Sequence, residues 1–367
     1  MRYPHEAWGK ELSDLAARFK SRAYLVGTGK VSGLCRRQEN AIVFGNSPFL
    51  YGLFLVYALI YSRIGKLSML ECSPDTRFFT WLSAMMKPKN TAYRIKSFSW
   101  IDVQGGPSAR RLAKVLHRFA LVIVQDAACY EAVIAHIPKD RVAIVPPGID
   151  LTKYPPSPPP AFNGESLNIL FASAPVPSNP YPDIFKHKGI DILLRSVSLL
   201  ERDGQNVKLL FACRDAYVAE LKALIEATGC RRVDVVDGPT DMTKLYQRSH
   251  CTIFPAASSR FSPCFPSSIM ESLSIGRPVV TTDVVHASEL VKRSRCGVVC
   301  EPSAEGLAGA ITELADNYEM LCQNCLRTAR ENFDIRRTFE TLQGLLQLTD
   351  LPDTGLSRGL SRNDLFG

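Results

Sequence analysis

The chain has 367 residues, 46% of them apolar and 22% charged, which is the composition of a folded protein and enough length for two hydrophobic cores. Eleven cysteines without framework spacing, and no basic start followed by an apolar segment and a small-residue cleavage site, argue against secretion and for a reducing cytoplasm. The net charge of +8 is unevenly spread: residues 1–160 carry 22 Lys+Arg against 11 Asp+Glu, a balance of +11, and residues 161–367 carry 22 against 25, a balance of −3. A first half this basic suits a phosphate-rich partner such as anionic lipid, lipid-linked phosphate or nucleic acid; the plain alternative is a solvated Lys/Arg surface.

In chain order, "ELSDLAARF" is amphipathic, and "AYLVG" and "AIVFG" read as short buried strands. Between them "GTGKVSG" at 27–33 lacks the spacing of a phosphate loop and reads as a turn. The run "PFLYGLFLVYALIY" at 48–61 is helical in length but too short to span a bilayer, so a buried helix is expected. Strand "LSMLE", a helix through "SARRLAKVLHRFA", strand "LVIVQ", helix "ACYEAVIAHI" and strand "VAIVP" complete the half. Such alternation marks βαβ units around a parallel sheet.

Prolines at 146, 147, 155, 156, 158, 159 and 160 interrupt the pattern, because each fixes φ and removes a backbone donor. The expected organisation is a first domain over 1–150, a Pro-rich linker over 151–166 and a second domain over 167–335. In that domain "NILFA", "VKLLFAC", "VDVVDG", "CTIFPA", "PVVTTD" and "GVVCEP" are strands separated by helices. Helices over 303–317 and 319–347 follow, with 336–349 as a C-terminal helix and 350–367, polar and aperiodic, as a disordered tail. The fold class expected is α/β, two doubly wound Rossmann-like domains facing a central cleft, with anionic ligands at helix N-termini beyond the strand ends.

Several stretches then match one family in order: "HKGIDILLRSVSLL", "MTKLYQRSHCTIFPA" and "FPSSIMESLSIGRPVVTTDVVHASELV", preceded by "LVIVQDAACYEAVIAHIPKDRVAIVPPGID". In these the chain resembles the family 4 retaining glycosyltransferases of the GT-B fold, well over residues 118–340 and only in alternation over 1–117. The resemblance implies transfer of a sugar from a nucleotide-sugar donor with retention, no metal and no cofactor.

Glu271, on the helix "SSIMESLSIG", is an acceptor-only carboxylate able to take two hydroxyl donors, and the resemblance gives it the nucleotide ribose. Lys188 stands one residue before Gly189, where a helix begins, so ammonium and helix N-terminus suit one diphosphate and the leaving group that departs from it. Lys188 and Glu271 are therefore the residues expected to carry the chemistry. Ser267 and Ser268 offer hydroxyl or N–H groups to the same phosphates, or serve as an ordinary N-cap. His187, Gly189, Phe265, Arg214 and Arg260 complete the expected donor-binding set.

Departures from the family pattern are equally plain. The family's second acid, eight residues before Glu271, is here Pro263, and the cation expected ahead of Lys188 is replaced by Ala174 and Pro175, for which Arg214 or Arg260 are substitutes. The opening strand with its glycine-rich loop is expected to be missing. Cys322 and Cys325 form a lone C-x-x-C without a second pair, so core or surface cysteines rather than a metal site are expected. The functional expectation is a glycosyltransferase acting on a glycan, lipid-linked or other acceptor, with peripheral attachment to an anionic membrane through the basic half and the 48–61 run. A nucleotide-sugar-binding or partner protein without turnover is the second reading, and action on nucleic acid, resting on charge alone, the third.

Overall fold

The computed structural model describes residues 11, 14, 15, 18, 24–28, 35–38, 41–44, 48–64, 67–71, 83–86, 91–95, 107–162, 166–173, 183–213, 217–238, 240–259 and 262–350. Arg214, Arg260, Ala174, Pro175 and the 350–367 tail beyond its first residue fall outside this set, as does most of "GTGKVSG". The chain divides into two units, one of residues 1–148 with 335–367 and one of 149–334.

Among the described residues, the first unit is built on seven strands: β1 (Tyr24–Thr28), β2 (Cys35–Gln38), β3 (Ala41–Phe44), β4 (Leu67–Glu71), β5 (Ala92–Arg94), β6 (Leu121–Val124) and β7 (Val142–Ile144), ordered β2-β3-β1-β4-β5-β6-β7. All pairings are parallel except β2 against β3. Two of these strands were not expected. "CRRQ" has no apolar alternation and serves as the antiparallel edge, and "AYR" is only three residues long, though all three are buried.

Helix α1 (Pro48–Arg63) corrects the expectation of a wholly buried helix. Phe54, Leu55 and Ala58 are fully buried, whereas Phe49, Leu53, Val56 and Ile60 are exposed. Further along the chain, α2 (Pro107–Leu116) and α3 (Ala127–Ile134) are the crossovers of β5–β6 and β6–β7, the latter started by Asp126 accepting from the Cys129 N–H at 2.7 Å.

At the ends of β4 and β5 the first unit buries charge. Arg94, fully buried, donates to Glu11 Oε1 at 2.7 Å and to Glu71 Oε2 at 3.4 Å, while Glu11 also accepts the Gly148 N–H at 3.0 Å. Burial pulls the Arg94 pKa down, but the two carboxylates more than offset it and leave it raised. Such a triad, with desolvation met by close partners, is costly to break by removing one member.

The second unit is a six-stranded parallel sheet of β8 (Leu167–Phe171), β9 (Val207–Ala212), β10 (Val233–Val236), β11 (Cys251–Phe254), β12 (Val279–Thr282) and β13 (Gly297–Cys300). Its order, β10-β9-β8-β11-β12-β13, is the 3-2-1-4-5-6 arrangement of a doubly wound sheet, with the reversal of direction between β8 and β11. β11, β12 and most of β8 are buried on both faces, and the threonines among them, Thr252, Thr281 and Thr282, are paired by hydrogen bonds.

Around this sheet lie α4 (Asp183–His187), α5 (Ile190–Arg202), α6 (Val218–Thr228), α7 (Met242–Arg248), α8 (Ser267–Ile275), α9 (Ser288–Ser294), α10 (Ala304–Asp316) and α11 (Tyr318–Asn332). The stretch expected as helix over 319–347, with 336–349 as the C-terminal helix, is two helices. α11 ends at Asn332, the Phe333 carbonyl accepts the Ile149 N–H at 2.8 Å, Asp334 bridges to Ile149, and α12 (Ile335–Asp350) begins beyond. Through that break the chain returns to the first unit, where Ile335, Leu342, Leu345 and Leu346 share a core with Leu121, Ile123 and Val145.

The Pro-rich stretch is held to the second unit by Arg277, a fully buried side chain just past the C-terminus of α8. Its guanidinium donates to the carbonyls of Ser157, Pro158, Gln247 and Ser249 and to the Ser157 hydroxyl, at 2.7 to 3.1 Å. A cation near a helix C-terminus is favoured by the helix dipole, and the fork of five donors is met by carbonyl oxygens.

Candidate functional site

The C-terminal ends of β8 and β11, flanking the switch in strand order, are where a doubly wound sheet places a ligand. Ser173 lies just past β8. Pro255, Ala257 and Ser258 lie just past β11, and the junction of α4 and α5 is bound to both. Lys188 Nζ donates to Ser173 Oγ at 2.7 Å, His187 Nδ1 is 2.6 Å from Ser258 Oγ, and the Ala257 N–H donates to the His187 carbonyl at 2.9 Å. Both Lys188 and His187 are half-buried.

Gly189 makes this junction possible. Its φ of +67° is left-handed, and a Cβ there would stand 1.7 Å from the Pro255 carbonyl oxygen. No side chain fits, so the start of α5 closes directly on the exit of β11. As N-cap, Gly189 provides no side-chain hydrogen bond to the first turn, which leaves backbone N–H groups of that turn for an anion.

Glu271 sits in the second turn of α8, half-buried. Tyr154 donates its hydroxyl to Oε1 at 2.7 Å, and Tyr246 donates to Oε2 at 2.8 Å. Both tyrosines are buried with Leu170 of β8 and Ile275, with Ala172 packed against them. The carboxylate is thereby tied to the same strand end as Lys188. Two tyrosine donors occupy two of its roughly four lone-pair positions and leave the others for an incoming ligand.

Ser267 opens α8 and Ser268 follows it, but neither is the N-cap. That place is held by Pro266, which offers no side-chain hydrogen bond. The first turn of α8 thus also has N–H groups without an internal cap. Phe265 packs against the core of Phe254, Ile269 and Leu273, with its ring edge-on to Phe333 at 5.4 Å between centroids. Pro263 is half-buried in the loop before it.

The sequence singled out Lys188, Gly189 and Glu271 from local pattern, but not the residues that position them. Ser173, Ser258, Tyr154 and Tyr246 are 15, 71, 117 and 25 residues from their partners. Only for Tyr246 was there a local sign, a phenol on the core-facing side of a short amphipathic helix. Cys322 and Cys325 prove to be buried members of α11 without a disulfide, and burial raises both thiol pKa values.

Residues 181–332 match the family model described as glycosyl transferases group 1. Among curated proteins, the chain is 22% identical over 214 residues to a probable sucrose-phosphate synthase of Thermosipho melanesiensis, covering 57% of this chain and 48% of that protein. It is 26% identical over 174 residues to a D-inositol 3-phosphate glycosyltransferase of an Arthrobacter species, covering 44% of this chain and 38% of the relative. The matched stretches span less than half the length of either relative. Among solved structures, Anabaena HepE in complex with UDP is similar over 94% of this chain and 96% of that one, with a TM-score of 0.70 and 18% identity. Sucrose-phosphate synthase from Thermosynechococcus elongatus is similar over 93% and 92%, with a TM-score of 0.67 and 14% identity. These likenesses identify the fold, two Rossmann-like parts of the GT-B type.

Proposed function

Since residues 181–332 match the model of the glycosyl transferases group 1, we propose that the protein transfers a sugar from a nucleotide-sugar donor to an acceptor, as a family 4 enzyme with retention of anomeric configuration. The observation that carries this reading is the attachment of one ammonium, Lys188, and one carboxylate, Glu271, to the end of the central strand at the switch in strand order. Ribose hydroxyls donate to the free lone pairs of Glu271. The diphosphate lies against Lys188 Nζ and the uncapped N-termini of α5 and α8, with His187, Ser267 and Ser268 at its edge.

As the bond from the anomeric carbon to the diphosphate breaks and one to an acceptor oxygen forms, negative charge grows on the leaving nucleotide. Donors already aimed at it stabilise that charge without reorganising. In this reading Lys188 and backbone N–H groups meet the phosphate charge with no metal or cofactor. Uridine nucleotides are the first donors to try, because HepE has been solved with UDP and with UDP-glucose. The acceptor is taken to be a glycan or a lipid-linked, membrane-presented molecule, and not nucleic acid.

A second reading, donor binding without turnover, is favoured by Pro263, which puts a ring where the family pattern has an acid for the donor sugar. One experiment separates the two: nucleotide-sugars are screened for both thermal stabilisation and hydrolysis. Saturation at 100 times Kd stabilises by about 2.7 kcal/mol. Stabilisation with turnover supports transfer, and stabilisation alone supports the second reading. Glu271→Gln is expected to weaken nucleotide binding tenfold or so, roughly the loss of one charge-assisted hydrogen bond; unchanged affinity would reject the ribose role.

A further inference from the structure

Seven large apolar side chains are exposed among the described residues, and five of them fall on α1 and the turn that ends it: Phe49, Leu53, Val56, Ile60 and Ile64. Their spacing of four, three, four and four keeps them within a single stripe on a helix of about 3.6 residues per turn. Exposure along the stripe runs from 44% at Leu53 to 70% at Phe49. The opposite face, with Phe54, Leu55 and Ala58, is buried. The helix is apolar all round although only one side is covered, and that pattern marks an interaction surface.

The margins of the stripe narrow the choice of partner. At 100° per residue, Tyr57 and Tyr61 lie along one margin, half-buried and stacked at 4.1 Å between centroids. Exposed Arg63 lies along the other, its Nε donating to the carbonyl of exposed Met85 at 3.1 Å. In sequence, Lys66 follows the helix, and Lys87 and Lys89 follow Met85. Aliphatic and Phe side chains between tyrosines and an arginine are the arrangement of a segment lying in a lipid headgroup boundary.

We propose that α1 docks the first unit on an anionic membrane surface, with this stripe in the headgroup boundary and Arg63 at its margin over the lipid phosphates. The helix lies flat and does not span. Sixteen residues reach only about 24 Å against the roughly 30 Å of a hydrocarbon core, and none of the described helices is long and apolar enough to cross. A second copy of the chain is the poorer occupant. A two-fold contact would bring two halves of +11 together, and their like charge opposes it. The proposal holds whether or not the second unit transfers sugar.

The test needs no donor. The full chain is sedimented with vesicles of phosphatidylcholine alone and of phosphatidylcholine with phosphatidylglycerol, at low and high salt. Recovery with the anionic vesicles only, falling with salt as exposed charges are screened, is expected, together with a loss of about tenfold or more in Leu53→Asp/Ile60→Asp. An unchanged melting temperature shows that the exposed substitutions leave the fold intact, and Phe49→Ser, alone, provides a second variant should the pair unfold. Absent binding, equal binding to both lipids, indifference to salt, or a dimer in solution abolished by the same substitutions would each overturn the proposal.

Discussion

At the scale of single residues, one buried histidine links the second unit to pH. His250 is buried between β8 and the Pro-rich stretch; its Nδ1 accepts the Asn168 N–H at 2.8 Å, and its Nε2 faces the Ala161 carbonyl at 3.3 Å. That pairing requires the neutral ring with its proton on Nε2, because a second proton on Nδ1 would confront the Asn168 N–H. Burial lowers the His250 pKa from its ordinary 6.5, the Ala161 bond opposes burial less strongly, and Arg277 adds a smaller lowering. The unfolded chain therefore takes a proton that the folded one refuses, so stability rises with pH across this window and is lost as pH falls below about 6.5. Melting curves between about pH 7.5 and 5.5, roughly one unit either side of that value, are expected to show the loss in the wild type. In His250→Asn, which keeps an acceptor for Asn168 without a titrating ring, the slope is expected to be shallower; an identical slope would place the titration elsewhere.

At the scale of elements, the approach of α5 to β11 rests on Gly189. Alanine there costs about 1–2 kcal/mol for the left-handed backbone alone, and its Cβ would overlap a backbone carbonyl that has little room to retreat. Gly189→Ala is expected to destabilise the second unit by about 3 kcal/mol or more and to weaken nucleotide binding, read by melting and by titration. Gly309, inside α10 with nothing near its missing Cβ, is the control. Alanine there is expected to stabilise by up to about 1 kcal/mol.

The same elements show what was legible beforehand. A strand buried on both faces, such as β6, declares itself as an apolar run, and the alternation of the second half places its helices. The polar edge β2 and the break at Phe333 carry no such pattern, because an edge strand needs no apolar face and the break is made by pairing with Ile149, far away in sequence. α1 was legible as a helix, but apolarity in every direction conceals which side is covered. At the site, a lysine and glycine before a helix and an acid on another could be read locally. The tyrosines and serines that hold them could not, since only the fold brings them within reach.

At the scale of the whole molecule, the chain leaves the first unit at Gly148 and returns to it at Ile335. Gly148 receives this return closely: a Cβ there would lie 2.7 Å from Ile335 Cα. The first unit is therefore not a contiguous segment, and its core is completed by four buried side chains of α12, Ile335, Leu342, Leu345 and Leu346. Exposing them forfeits roughly 6–12 kcal/mol at about 1.5–3 kcal/mol each, as much as the whole stability of an ordinary domain. The second unit runs unbroken from Ile149 to Asp334 and has its own cores on either side of the sheet. Deletion of residues 335–367 is accordingly expected to abolish the cooperative melting of the first unit while the second still melts as a unit and is still stabilised by nucleotide. Calorimetry of the truncated chain with and without nucleotide measures both transitions separately, so no two-state assumption is needed. Survival of two transitions would show that α12 is dispensable to the first core, and loss of both that the second unit cannot stand without the first.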